Sequence, residues 1–155
     1  MLKQFLQKTF GVLVAVGLLF VGAAFAAETG RHLRVDDVDV YYGILPAQVA
    51  GKHDPAHEER TMHGRVPRGS KDSHLIVALF GKDGVRITDA EVSATVAELG
   101  MSGARKTLEP MRIEDTISFG NYFAIYGSGP YRITLEIRLP GARRSTEAVF
   151  EYQAR

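Results

Sequence analysis

Cysteine and tryptophan are both absent from this sequence of 155 residues. Without cysteine the fold forms without disulfides, and neither a thiol nucleophile nor a thiolate metal site can exist. Soft metal ligands are therefore limited to histidine and methionine. An excess of one charge is absent too, because 19 basic residues balance 18 acidic ones. We expect no nucleic acid partner, since such proteins carry clustered lysine and arginine.

A long uncharged apolar run occurs once, near the start of the chain. Lys3 and Lys8 precede an apolar stretch from Phe10 to Phe25, and a small-x-small site lies at Ala24-Phe25-Ala26. This order of features is typical of a secretory signal peptide. The run is shorter than the ~20 residues that cross a bilayer, which favours cleavage over a retained anchor. We therefore expect cleavage after Ala26 and export to the periplasm.

The chain after this site carries no internal repeat and no low-complexity tract. We therefore expect residues 1–26 to be the signal peptide and residues 27–155 to form one domain, with its core within residues 34–153. A chain of this length is sufficient for one domain with a hydrophobic core of its own.

Alternation of apolar and polar residues predicts strands in the exported part. Between Tyr131 and Leu139 every second residue is apolar, and Pro140-Gly141 ends the run. Similar short runs are separated by glycine and proline turns, and together they predict an all-β, immunoglobulin-like β-sandwich of about seven strands. The in-phase apolar positions predict the core, which comprises Val77, Leu79, Val92, Val96, Ile133, Leu135, Ile137 and Phe150.

Two further strands have patterns of their own. Leu75 to Phe80 is apolar throughout, which predicts a central strand covered on both faces. Val35 to Ile44 is interpreted as one continuous strand, because Val38, Val40 and Tyr42 are in phase.

Histidine and methionine supply the candidate metal ligands. His63 and His74 lie on either side of a loop, and a hairpin between the flanking strands would bring them together. Met111 is the third candidate, and imidazole with thioether favours copper, or ferrous iron where carboxylates are added. The alternative is that both histidines are ordinary strand-end residues and that Met111 belongs to the core. His53 and His57 are interpreted as part of a solvated loop.

The motifs of several enzyme classes are absent. The sequence contains no Gly-x-Ser-x-Gly nucleophile elbow and no close carboxylate pair of the kind that glycosidases use. Gly127-Ser-Gly-Pro130 is too short for a phosphate loop and precedes a strand rather than a helix. We therefore expect that the protein is not an enzyme.

The C-terminal half carries a series of motifs that resembles a known family. In chain order they are Leu108-Glu-Pro-Met-Arg-Ile113, Phe119-Gly-Asn-Tyr-Phe123, Tyr126-Gly-Ser-Gly-Pro-Tyr-Arg-Ile-Thr-Leu135 and Leu139-Pro-Gly141. This order is similar to that of the periplasmic iron-transport-associated proteins that accompany ferrous-iron permeases.

The resemblance implies an exported immunoglobulin-like β-sandwich, often dimeric, that binds copper or iron through histidine and methionine. It implies that Met111 is the methionine ligand of the family and that His63 is its strand histidine. Ser118 stands where the family has a histidine before the aromatic-glycine pair, so one family ligand is replaced here. His74 is a candidate from the hairpin geometry alone.

These observations predict a non-enzymatic periplasmic metal-binding protein that assists iron or copper uptake and homeostasis, with His63, Met111 and His74 as ligands. Glu109 or Glu114, which flank Met111, would add a carboxylate for ions that need harder donors. The expected partner is an inner-membrane metal permease or another envelope protein, and the resemblance implies a homodimer. The alternative is a metal-free β-sandwich that binds an envelope protein through its loops or a sheet edge, and a third possibility is an accessory domain of an enzyme.

Overall fold

The computed structural model describes residues 30–50 and 72–155. These residues form nine β-strands and a single helical turn. The elements are β1 (His32–Val35), β2 (Val38–Pro46), α1 (Ala47–Ala50), β3 (Asp72–Phe80), β4 (Arg86–Ile87), β5 (Glu91–Glu98), β6 (Ala104–Ile113), β7 (Thr116–Ala124), β8 (Pro130–Arg138) and β9 (Thr146–Gln153). No helix within the described ranges is long and apolar enough to cross a membrane.

The strands are antiparallel throughout and follow the order β1-β2-β3-β7-β6-β5-β8-β9, with β4 paired to the end of β3. Strand β6 belongs to both layers of the sandwich. Its first half pairs with β5 from Ala104 to Leu108, and its second half pairs with β7 from Glu109 to Ile113. We call the layer β1-β2-β3-β7-β6 the front sheet and the layer β6-β5-β8-β9 the back sheet. The predicted all-β sandwich is confirmed, with nine strands in the described part rather than about seven.

The core lies between the two sheets, where the alternating residues of both layers meet. All eight residues that the sequence predicts for the core are buried. On β8, Ile133, Leu135 and Ile137 are fully buried, whereas the residues between them are partly exposed. This alternation of buried and partly exposed residues confirms which face of β8 the sequence predicts to point into the core.

One predicted strand is two strands. The sequence predicts a continuous strand from Val35 to Ile44, but the chain reverses at Asp36 and Asp37, which have positive φ angles of 46° and 63°. Val35 pairs with Val38 across this turn, so a two-residue hairpin joins β1 to β2. Two consecutive left-handed residues match the twist of hairpin strands, and aspartate adopts this region more readily than most residues.

Strand β3 is central in the front sheet, as the sequence predicts, with β2 on one side and β7 on the other. The predicted cover on both faces is only partial, because three residues of its outer face are half-buried: Ile76, Ala78 and Phe80. His74 lies opposite Leu45 of β2 and opposite Tyr122 of β7. Both sides of β3 are therefore paired at His74. The predicted hairpin, in which His74 pairs with a strand that carries His63, is wrong at this position. His53, His57 and His63 themselves lie outside the described residues.

Candidate metal centre

Two of the three predicted ligands lie on the same face of the front sheet. Leu75 and Val77 point into the core, so His74 points to the opposite, outer face of β3. Met111 of β6 lies opposite Ser118 of β7, and its side chain is on that outer face as well, because Leu108 points into the core. The side chains of His74 and Met111 are both completely buried.

Gly120 of β7 separates these two side chains and lets them approach each other. A Cβ atom at Gly120 would lie 2.9 Å from Nε2 of His74, 2.9 Å from Cε of Met111 and 3.0 Å from the carbonyl oxygen of Leu75. Real Cβ atoms essentially never have contacts under 3.0 Å. The imidazole nitrogen and the thioether methyl group are thus at most twice 2.9 Å apart, over a position that only glycine leaves open. We call His74, Met111 and Gly120 together the Gly120 cradle.

The aromatic ring of Tyr122 fixes the plane of the imidazole. Tyr122 and His74 are directly opposite each other on β7 and β3, and their rings are stacked with centroids 4.6 Å apart and planes at 28°. Nζ of Lys106 donates a hydrogen bond of 2.6 Å to the carbonyl oxygen of Tyr122. Stacking of this kind restricts the rotation of the imidazole ring and keeps its Nε2 atom directed towards Gly120.

One carboxylate lies at the rim of the cradle. Glu109 is directly opposite Gly120 in the register of β6 and β7 and shares its face with Met111, two residues along β6. Its side chain is exposed. Glu114, the other carboxylate that flanks Met111 in the sequence, lies in the turn between β6 and β7 with a φ of 54°. Of the two, Glu109 is therefore the one placed beside the cradle.

A guanidinium group lies at the other end of the cradle. Nη2 of Arg86 donates a hydrogen bond of 2.7 Å to Oγ of Ser118, and Nε donates one of 3.0 Å to the carbonyl oxygen of Ile117. The guanidinium carbon also lies 4.8 Å from the ring centroid of Phe80. Burial lowers the pKa of Arg86 from its ordinary value, yet arginine remains protonated at neutral pH.

The cradle contains an imidazole and a thioether group, which are donor types that soft metal ions prefer. Imidazole and thioether groups bind Cu(I) through nitrogen and sulfur, and the absence of a side chain at Gly120 lets these two buried groups lie close together. Among the described residues no group of three or more histidine, aspartate or glutamate side chains could hold a metal ion together. The donors present therefore fit copper better than an ion that requires several oxygens.

The sequence analysis does not predict three residues of this site: Gly120, Tyr122 and Arg86. Gly120 has a usable signal, because an isolated glycine inside a strand pattern indicates a close approach of another group. Arg86 has no such signal, since its position depends on the pairing of the two-residue strand β4 with β3.

No family model matches the chain, and no curated protein matches it. Solved structures do match in fold. A DUF4426 family protein from Pseudomonas aeruginosa has 19% identity and a TM-score of 0.59, covering 79% of this chain and 92% of that one. A copper-bound variant of FetP from uropathogenic Escherichia coli has 18% identity and a TM-score of 0.57, covering 82% and 95%. A copper-bound variant of P19 from Campylobacter jejuni has 13% identity and a TM-score of 0.62, covering 83% and 96%.

Proposed function

We propose that the protein is a non-enzymatic periplasmic protein that binds copper between His74 and Met111 and serves in metal uptake or homeostasis. The observation that carries this proposal is the Gly120 cradle, in which Nε2 of His74 and Cε of Met111 both approach the site of a missing Cβ. Glycine at position 120 lets a histidine and a methionine, both completely buried, come together on the outer face of the front sheet.

The chemistry of the two ligands favours the reduced ion. Thioether sulfur selects Cu(I) over harder cations, and imidazole binds either copper state. Both ligands are neutral when they bind the ion, so the net charge of the centre would equal the charge of the ion. The thioether would bind and release the ion without gaining or losing a proton. Glu109 at the rim would add an oxygen donor where a divalent ion is bound.

The fold comparisons support this proposal at the level of architecture. FetP and P19 have been solved with copper bound, and both share the fold of this chain over more than four fifths of its length. One FetP structure comes from protein expressed in the periplasm of Escherichia coli. A periplasmic location for this chain agrees with its N-terminal signal pattern, which ends at Ala26. Iron remains a prediction of the sequence resemblance.

The direct test is a metal titration with matched variants. The exported protein, purified from periplasmic extract, is titrated with Cu(I), Cu(II) and Fe(II) in competition with a chelator. We expect His74→Ala and Met111→Leu each to weaken Cu(I) binding at least tenfold, since each removes one of two strong donors. His32→Ala and Met101→Leu are the controls. His32 is an exposed histidine that is hydrogen-bonded to Asp39, and Met101 is exposed.

The same titration separates this function from the alternative. Weakening by the control variants to the same degree would show that binding is adventitious. If the wild-type protein binds none of the three ions, the metal-free interaction module becomes the better description. Two further expectations are tested separately. Co-purification tests whether a permease or another envelope protein is the partner, and light scattering of the exported protein tests whether it forms a homodimer.

A further inference from the structure

Arg86 is a cation that neutral groups hold beside the candidate metal centre. Its hydrogen bonds go to a hydroxyl and a carbonyl oxygen, and its third contact is the face of an aromatic ring. Among the described residues no carboxylate forms an ion pair with it. By contrast, Arg34, Arg105 and Arg138 each form an ion pair with an aspartate or glutamate.

The charge of Arg86 is fixed close to the Gly120 cradle. Ser118, which accepts the hydrogen bond from Nη2, is directly opposite Met111 and two residues from Gly120 along β7. Two residues of a strand span about 7 Å. The Ser118 side chain, which accepts this hydrogen bond, is also buried. A distance of this order is within the screening length of physiological salt, which is about 8 Å.

We propose that Arg86 determines the valence of the bound ion, so that the His74–Met111 centre holds monovalent copper in preference to divalent ions. This inference rests on the proposed function and adds a specificity residue to it. The physical reason is that a fixed positive charge repels a divalent ion twice as strongly as a monovalent one at the same position.

Coulomb's law gives the size of the effect. One additional unit of ionic charge at about 8 Å from the guanidinium costs a factor of roughly two to thirty in affinity, for effective dielectric constants between those of water and a protein surface. Glu109 acts in the opposite direction, because a carboxylate at the rim attracts divalent ions. Its side chain is exposed and more strongly screened, whereas Arg86 is partly buried and held by two hydrogen bonds.

A purely structural role of Arg86 predicts a different result from an electrostatic one. If Arg86 only ties β4 to β7, its replacement changes stability and lowers both copper affinities together. If its charge selects the ion, replacement by a neutral residue raises the ratio of Cu(II) to Cu(I) affinity. Arg86→Lys keeps the charge but loses the forked hydrogen bonds, so it separates the two roles.

The experiment measures Cu(I) and Cu(II) affinities of the exported protein by chelator competition, and Zn(II) serves as a divalent probe without redox chemistry. We expect Arg86→Gln to raise the Cu(II)/Cu(I) and Zn(II)/Cu(I) affinity ratios by roughly two- to thirtyfold, and Arg86→Lys to keep the wild-type ratios. Arg105→Gln is the matched control, because Arg105 is paired with Glu136 on the back sheet. Arg86→Met, which keeps an unbranched stem for contact with Phe80, replaces the glutamine variant if that one does not fold.

The outcomes are distinguishable. Unchanged ratios in Arg86→Gln or Arg86→Met, with Cu(I) binding intact in the wild type, would overturn this inference and leave the proposed function standing. Ratios that rise equally in Arg86→Lys would show that hydrogen bonding, not charge, is responsible, and would also overturn it. A wild-type protein that binds no copper ion would remove both proposals together.

Discussion

Gly120 is the residue on which the geometry of the candidate centre depends. Its missing side chain leaves the position that His74 and Met111 approach from two neighbouring strands. We predict that Gly120→Ala destabilises the protein by about 1–3 kcal/mol, the usual cost of an overpacked site. The imidazole and thioether side chains can move aside, but the carbonyl oxygen of Leu75, 3.0 Å from the added methyl group, belongs to the backbone.

Urea denaturation and the Cu(I) titration measure the two consequences of this change. Gly43→Ala is the matched control, because Gly43 also lies in a strand of the front sheet and a Cβ there would meet nothing within 4 Å. We expect the control to change stability by less than about 0.5 kcal/mol and to keep Cu(I) affinity. Equal effects of the two substitutions would contradict the role assigned to Gly120.

Among the elements, the connection from β7 to β8 is closed by the hydroxyl group of Tyr131. Tyr131, at the start of β8, donates a hydrogen bond of 2.8 Å to the carbonyl oxygen of Tyr126 and accepts one of 2.9 Å from its backbone N–H. We predict that Tyr131→Phe costs about 1–2 kcal/mol, because two backbone groups lose their partner while the buried ring is kept. Thermal or urea denaturation measures this, and Tyr126→Phe, whose side chain is exposed, is the control. A Tyr131→Phe protein as stable as the wild type would show that water replaces the hydroxyl.

The strands themselves could be predicted from the sequence wherever every second residue is apolar and buried. In β5 and β8 the apolar residues alternate without interruption, so both the strand and its inner face are readable. The Asp36–Asp37 turn could not be predicted, because it contains none of the glycine or asparagine residues that usually mark two consecutive left-handed positions.

The candidate centre was predictable in its residue types and only partly in its geometry. Imidazole and thioether follow from the absence of cysteine, and they direct attention to His74 and Met111. Their approach depends on the order β3-β7-β6, which joins residues far apart in the chain. Sequence periodicity contains no information on that order, and so the predicted partner of His74 was a neighbouring strand in the sequence rather than β7.

For the whole molecule, the contact between the two sheets includes an ionisable group. Tyr42 of β2 is 6% exposed, and its ring lies 4.7 Å from that of Phe150 on β9. Burial raises the pKa of Tyr42 above its ordinary value, an effect that nearby Arg31 opposes and Tyr152 increases. The folded protein therefore keeps a neutral phenol at pH values where the unfolded chain already ionises.

Because the folded-state pKa is the higher one, the contribution of Tyr42 to stability is complete below the unfolded pKa, about 10, and is lost as pH rises through the raised folded value. We predict that the free energy of unfolding falls above pH 10 and that Tyr42→Phe reduces the steepness of this fall, since phenylalanine cannot ionise. Urea denaturation at several pH values between 8 and 11 measures the slope. Tyr126→Phe removes an exposed tyrosine and should keep the wild-type slope. An identical slope for Tyr42→Phe and the wild type would show that the interface between the sheets admits enough water to solvate the phenolate.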